Sequence, residues 1–243
     1  MATDFYSTSG EFYEMVADRH VRTSAGPLTT ALRGVDPALG PVVEIGAGTG
    51  QLTRLIAGRL PAAEIVAVEP ATPMRAVLTS RVLGEPDLRR RVTVVAGAAP
   101  DLVLPDRISA VVAFGVLGHL GDGDRARLWD LLRPRLPAGA PVVVELMGGH
   151  RARRIEPIRM LRETIGAQTY EWWTSAEVAG PRLMRWRTTW KVFSGHEVVR
   201  TVEDAYDWTT LSLEDLAAES GMTARHLGGS GVPGSPEIGV LVR

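Results

Sequence analysis

From residue 42 to 145 the chain alternates short β-branched runs with stretches whose apolar positions recur at helical spacing. Val42-Val43-Glu44-Ile45, Ile65-Val66-Ala67-Val68, Val92 to Ala96, Ile108 to Phe114 and Pro141 to Glu145 read as strands apolar on both faces, as strands inside a covered sheet are. Between them, Leu52, Leu55, Ile56 and Leu60 predict a helix over 51–60, and further helices are predicted over 72–82 and 124–136. Strands that alternate with helices predict a parallel sheet with right-handed crossovers, a doubly wound α/β architecture.

The pattern then changes. Residues 151–166 read as a basic helix. In Leu183–Phe193 the even positions Met184, Trp186, Thr188, Trp190 and Val192 share one face, and Arg185, Arg187, Thr189 and Lys191 share the other. That alternation is a strand; Ser194-Gly195-His196 supplies a turn, Glu197–Glu203 a returning strand and Tyr170–Thr174 a third. Leu213–Ser220 reads as a helix stopped at Gly221, residues 228–236 as a Gly-rich loop, and Ile238–Val242 as a closing strand. Residues 1–35 read as helix and loop. The expected fold is a doubly wound, mostly parallel seven-stranded Rossmann-like sheet with a small antiparallel β meander inserted after strand five.

Composition narrows the function classes. With 243 residues, 45% apolar and 23% charged, the chain suits one globular domain with an embellishment. It has no cysteine, which removes disulfides, thiol nucleophiles and thiolate metal sites. Its five histidines never pair at HxxxH or HxxH spacing, so no metal is expected. A net charge of −1 argues against a nucleic-acid partner, although residues 150–200 hold ten Arg or Lys against five Glu. No apolar run reaches the ~18 residues of a membrane span, and the N-terminus lacks the basic and apolar regions of a signal peptide, so a cytoplasmic location is expected.

The most informative segment is Val43-Glu44-Ile45-Gly46-Ala47-Gly48-Thr49-Gly50. Glycines after a strand let the backbone turn tightly and approach a ligand. The dinucleotide fingerprint G-x-G-x-x-G would place its third glycine where Gln51 stands, and Glu44 would be unwelcome beside a pyrophosphate. A carboxylate there suits a zwitterion that bears an ammonium and a sulfonium, which is S-adenosylmethionine. The second strand ends Val68-Glu69-Pro70, with Glu69 positioned to accept hydrogen bonds from ribose hydroxyls, 21 residues past Gly48.

On these residues the chain resembles the class I S-adenosylmethionine-dependent methyltransferases. The likeness runs through Glu44–Gly50, Val68-Glu69-Pro70 with Met74, Phe114-Gly115-Val116-Leu117-Gly118-His119-Leu120 after strand four, and Gly139 to Glu145. Within that class it looks most like bacterial N-methyltransferases of amino sugars and other natural products, through Glu11-Phe12-Tyr13-Glu14, the meander and the ending Ile238 to Arg243. The resemblance implies a single domain: an N-terminal helical lid (1–35), a cofactor-binding core (36–150), an antiparallel cap (167–203) and a return to the core (204–243). It implies a cofactor site of Tyr13, Glu44, Gly46, Ala47, Gly48, Gln51, Glu69, Pro70, Met74, Gly97, Ala98 and Phe114. One departure stands out: such enzymes often carry Gly-Asp after strand three, where this chain has Gly97-Ala98.

Methyl transfer is an in-line displacement, in which positioning alone can supply ~7–11 kcal/mol. The resemblance implies that Tyr13 closes over the cofactor and faces the acceptor, with Tyr6 a second choice. His119, at the carboxyl edge of strand four, is the candidate proton acceptor. Glu145, at the end of strand five, is the candidate to bind an acceptor amine. Structural roles remain open for all three: a core aromatic, a structural histidine, a helix cap. The arginines of 151–162 and 182–191 would serve an anionic small-molecule acceptor, or simply a solvated face. The tryptophan face is meander core, a substrate lid or the contact of a homodimer. Besides N-methylation, the sequence leaves open O-methylation with His119 as base and non-catalytic use of the cofactor; Gln51 and Glu44 disfavour an NAD-dependent oxidoreductase.

Overall fold

The computed structural model describes residues 6, 8–147, 151–228 and 237–243. Most of the predicted 228–236 loop therefore lies outside the described residues. The N-terminal helix α1 (Tyr13–Ala31) buries Ala17, Ser24, Leu28 and Ala31, one stripe at helical spacing. Then come β1 (Val42–Ile45), α2 (Gln51–Arg59), β2 (Ile65–Val68), α3 (Thr72–Gly84), α4 (Pro86–Arg91), β3 (Val92–Val95), β4 (Ala110–Phe114), α5 (Asp122–Leu132) and β5 (Pro141–Leu146). The meander follows as β6 (Ile155–Ile165), β7 (Gln168–Val178), β8 (Leu183–Ser194) and β9 (Glu197–Thr209). The chain closes with α6 (Leu213–Ser220), β10 (Thr223–Gly228) and β11 (Glu237–Val242).

The main sheet has seven strands in the order β10-β11-β5-β4-β1-β2-β3. Its five strands from β5 to β3 run parallel, while β11 is antiparallel to both β5 and β10. β1, β4 and β5 are buried at every position, which explains their uninterrupted apolar runs. Two apolar clusters cover the two faces, one around Trp129, Leu128 and Leu132 of α5, the other around Leu28 of α1, Ile56 of α2 and Leu78 of α3. β2 and β3 lie to one side of β1, β4 and β5 to the other, so the strand order reverses between β1 and β4. A ligand crevice is expected outside the carboxyl ends at that point.

Sheet two, in the order β6-β7-β8-β9, is antiparallel throughout. Its inner face packs on the start of α1: Trp190 stacks on Phe12 at 4.9 Å between ring centres, and Trp172 lies next to Trp190 at 6.0 Å. Trp190 is thus packed between the meander and the N-terminal segment, as the meander-core reading expects.

Several boundaries depart from the sequence reading. The stretch 151–166 is not a helix; it forms edge strand β6, whose two register shifts, between Ile155 and Ile158 and between Arg159 and Leu161, erase the period-two signature. The meander accordingly spans 155–209 rather than 167–203. β3 is an edge strand and only partly buried, not an interior one. β10 escaped notice because Thr-Ala-Arg-His-Leu-Gly at a sheet edge buries too little to show a pattern. α5 ends at Leu132, and Pro134 sits in the tighter turn that follows it.

Candidate active site

A cavity of about 650 Å³ opens where the strand order reverses. The turn from β1 into α2 forms one side. Gly46 and Gly48 have φ of 75° and 57°, which only glycine adopts without strain, and a Cβ on Gly46 would press into Val116. The end of β2 contributes Glu69, which is nearly fully buried. Its Oε2 accepts the Gly48 N–H at 2.7 Å and its Oε1 accepts the Ala71 N–H at 2.8 Å, so the carboxylate is fixed by the two loops it joins.

The opposite wall comes from β4 and the turn after it: Phe114, Gly115, Val116, His119 and Leu120 line the cavity. His119 sits in a short 3-10 turn, Leu117–His119. Its ring lies 4.8 Å from the Trp208 ring, edge-on, and 5.2 Å from Tyr206, and its Nε2 is 3.4 Å from the Tyr6 hydroxyl. Burial pulls its pKa down to about 4, against a smaller opposing effect of the Asp207 backbone, so the imidazole is neutral at pH 7.

The N-terminal segment covers the cavity with Tyr6 and Tyr13, whose rings meet edge-on at 5.6 Å. Burial, with the charges of Glu69 and Glu145, pushes the Tyr13 hydroxyl up to about 12, so it stays protonated as a donor. Pro70, Met74, Gly97 and Ala98 line the far wall. Ala98 offers no side-chain hydrogen bond. The polar groups of that rim are Asp101, Asp124 and Arg127, whose guanidinium reaches each carboxylate at 2.9 Å.

Of the sequence-predicted residues, Tyr13, Gly46, Gly48, Glu69, Pro70, Met74, Gly97, Ala98, Phe114 and His119 converge on the cavity, as does Tyr6. Glu44, Ala47, Gln51 and Glu145 are not among its lining residues. Glu44 is buried behind the loop, accepts a 2.5 Å hydrogen bond from Thr53 Oγ1, and is pushed up to about 8 by burial. Gln51 donates to Glu14 at 2.5 Å. Glu145 is fully buried beneath α1, where it accepts Ser24 Oγ at 3.0 Å and meets His20 Nε2 at 2.7 Å. The arginines named for an anionic acceptor also lie outside this lining. Arg159 and Arg162 clamp Glu171 on the outer face of the meander, and Arg185 pairs with Asp207.

Sequence reasoning missed Asp101, Asp124, Arg127, Tyr206 and Trp208. The first three come from a loop and a helix start without motif. Tyr206 and Trp208 were legible in principle, since the alternation of β9 runs past Glu203 to Thr209.

With this geometry in place, residues 42–138 match the family model described as "Methyltransferase domain". No curated protein sequence matches the chain. Among solved structures, the amino pentose methyltransferase CalS10 of Micromonospora echinaspora superimposes with a TM-score of 0.70 at 19% identity, covering 91% of each chain. DesVI of Streptomyces venezuelae superimposes at 0.76 with 18% identity, covering 100% of this chain and 99% of that one. The sugar N-methyltransferase KedS8 of Streptoalloteichus sp. superimposes at 0.70 with 17% identity over 90% and 86%. At these identities the likeness is one of fold. Residues 42–138 thus match a methyltransferase domain, and the whole chain has the fold of these sugar methyltransferases.

Proposed function

We propose that this protein transfers the methyl group of S-adenosylmethionine to the amine nitrogen of a small natural-product acceptor. The observation that carries the reading is one cavity flanked by two functional walls. Glu69 and the glycine loop stand on one side; a neutral imidazole, His119, stands with Tyr6 on the other.

The residues fit the cofactor. Glu69, held by two backbone N–H groups, is placed to take ribose hydroxyls. Gly46 and Gly48 bring backbone close to where the methionine half would lie, and Pro70, Met74 and Phe114 supply apolar surface for a purine. When bound, the cofactor supplies an electrophilic methyl on a sulfonium. Tyr6 and Tyr13 exclude water above it and keep their protons. His119, uncharged, can accept a hydrogen bond from an acceptor amine held in its neutral, nucleophilic form, and the proton released on methylation passes to solvent. The fold shared with CalS10, an amino pentose methyltransferase, and KedS8, a sugar N-methyltransferase, supports an amino-sugar acceptor.

O-methylation is the second reading, since a hydroxyl needs a proton acceptor and His119 is the imidazole that lines the cavity. Incubation with S-adenosylmethionine carrying a CD3 group, across paired amine and hydroxyl acceptors of one sugar scaffold, tests both. Label on nitrogen supports the proposal. Label on oxygen alone replaces it with the second reading.

A further inference from the structure

Gln51, the residue that breaks the dinucleotide fingerprint, does not line the cavity; its side chain reaches out to the N-terminal helix instead. Glu14, the residue after Tyr13, accepts Gln51 Nε2 at 2.5 Å and Arg81 Nη2 at 2.6 Å with the same oxygen, Oε1. Arg81 in turn donates from Nε to the Thr49 carbonyl at 2.9 Å. The first turn of α1 is thus fastened to the glycine loop itself and to α3. Beside that fastening, Tyr13 lies over the loop, with Cε1 3.5 Å from where a Cβ on Gly48 would stand.

We propose that Glu14, Gln51 and Arg81 form a latch that holds the start of α1 closed over the cofactor, so that the latch opens before the cofactor can leave. This rests on the reading of the cavity as an S-adenosylmethionine site. Three features rank this latch above the other ties of the helix. The Arg81 side chain is only 16% exposed, although Glu14 is 40% exposed, so the pair is shielded from water and salt on its Arg81 side. The neighbouring Glu11–Arg200 pair is about half exposed on both sides and holds weakly. At the other end, His20 and Ser24 anchor α1 to the buried Glu145, so the helix keeps that contact as its front end lifts.

Glu14 and Arg81 act as positioning residues, and the test must separate latching from folding. Protein loaded with radiolabelled S-adenosylhomocysteine is chased with unlabelled ligand, and retention is followed for wild type, Glu14→Gln, Arg81→Met and the double variant. Each single change is expected to speed release about tenfold, equivalent to ~1.4 kcal/mol. The double variant should release no faster than either single, because all share one latch. Melting temperatures without ligand should stay near wild type, which a purely structural role would not allow. Wild-type release rates in the single variants, or multiplying effects in the double, overturn the latch alone. Failure of the wild type to bind the ligand overturns the cofactor reading, and the latch with it.

Discussion

The indole of Trp208 occupies the space that a Cβ on Gly118 would need, so β9 of the meander rests directly on the backbone of the turn that carries His119. The Trp208 Nε1–H also donates to the Met147 carbonyl at 3.2 Å, which fixes the ring from its other edge. The meander thereby sets the position of the imidazole: Trp208 touches His119 edge-on, and Tyr206 of the same strand touches it too. The cap insertion thus backs the turn that carries His119, although no residue of the meander is among those lining the cavity.

Gly118→Ala should therefore destabilise the fold by ~1–3 kcal/mol, the usual range for overpacking. The measurement is the denaturant midpoint of wild type and variant. Because the clash falls beside His119, acceptor turnover should fall by more than S-adenosylhomocysteine affinity does.

His119 gives a pH prediction with a definite sign. Its pKa is lowered to about 4 by burial, against 6.5 when exposed, so the unfolded chain binds more protons between those values. Stability should rise with pH across that window and fall as pH drops through it. His119→Gln should flatten that slope in melting curves taken from pH 4 to 7. For the same reason the imidazole is neutral above pH 5, and an acid limb in kcat/KM at higher pH belongs to the acceptor amine.

Glu44 has the opposite signature. Its carboxyl is pushed up to about 8 by burial, so the folded chain keeps a proton that the unfolded chain loses above pH 4.5. Folding therefore weakens as pH rises from 4.5 to 8. Glu44→Gln, which retains an acceptor for Thr53, should melt with wild type at pH 4.5 and above it at pH 8. Loss of cofactor affinity in the same variant would show that Glu44 also faces the ammonium of the ligand through the loop.

Glu69 joins the two loops of one cavity wall, so its loss removes that brace and, on the proposed reading, the group that would accept the ribose hydroxyls. Hydrogen bonds to a charged group contribute ~1.5–3 kcal/mol each. Glu69→Ala should weaken S-adenosylhomocysteine binding by at least about tenfold. A titration that finds unchanged affinity would remove Glu69 from the site.

The parallel core was legible because β1, β4 and β5 are covered on both faces and so carry unbroken apolar runs. The wall proposed for the cofactor was legible for a related reason: a glycine loop after β1 and an acid at the end of the neighbouring β2 mark a site made largely by backbone. What stayed hidden depends on tertiary partners. Ile155 to Ile165 carries no clean period because its bulges change which residues face inward. Glu145 looks like a site residue by position at a strand end, yet its partners His20 and Ser24 sit more than 120 residues away. His20 pairing with it follows from contact alone: burial lowers the His20 pKa, but the hydrogen bond and charge of Glu145 outweigh that and raise it. The rim of Asp101, Asp124 and Arg127 likewise forms only once the loop after β3 meets the start of α5.

Calorimetric titration with S-adenosylhomocysteine, using NADH as the control, tests the central claim most directly. Micromolar binding of the sulfur ligand is expected, weakened at least about tenfold in Glu69→Ala, with none of NADH. Binding of NADH, or no binding of S-adenosylhomocysteine by the wild-type protein, would contradict it.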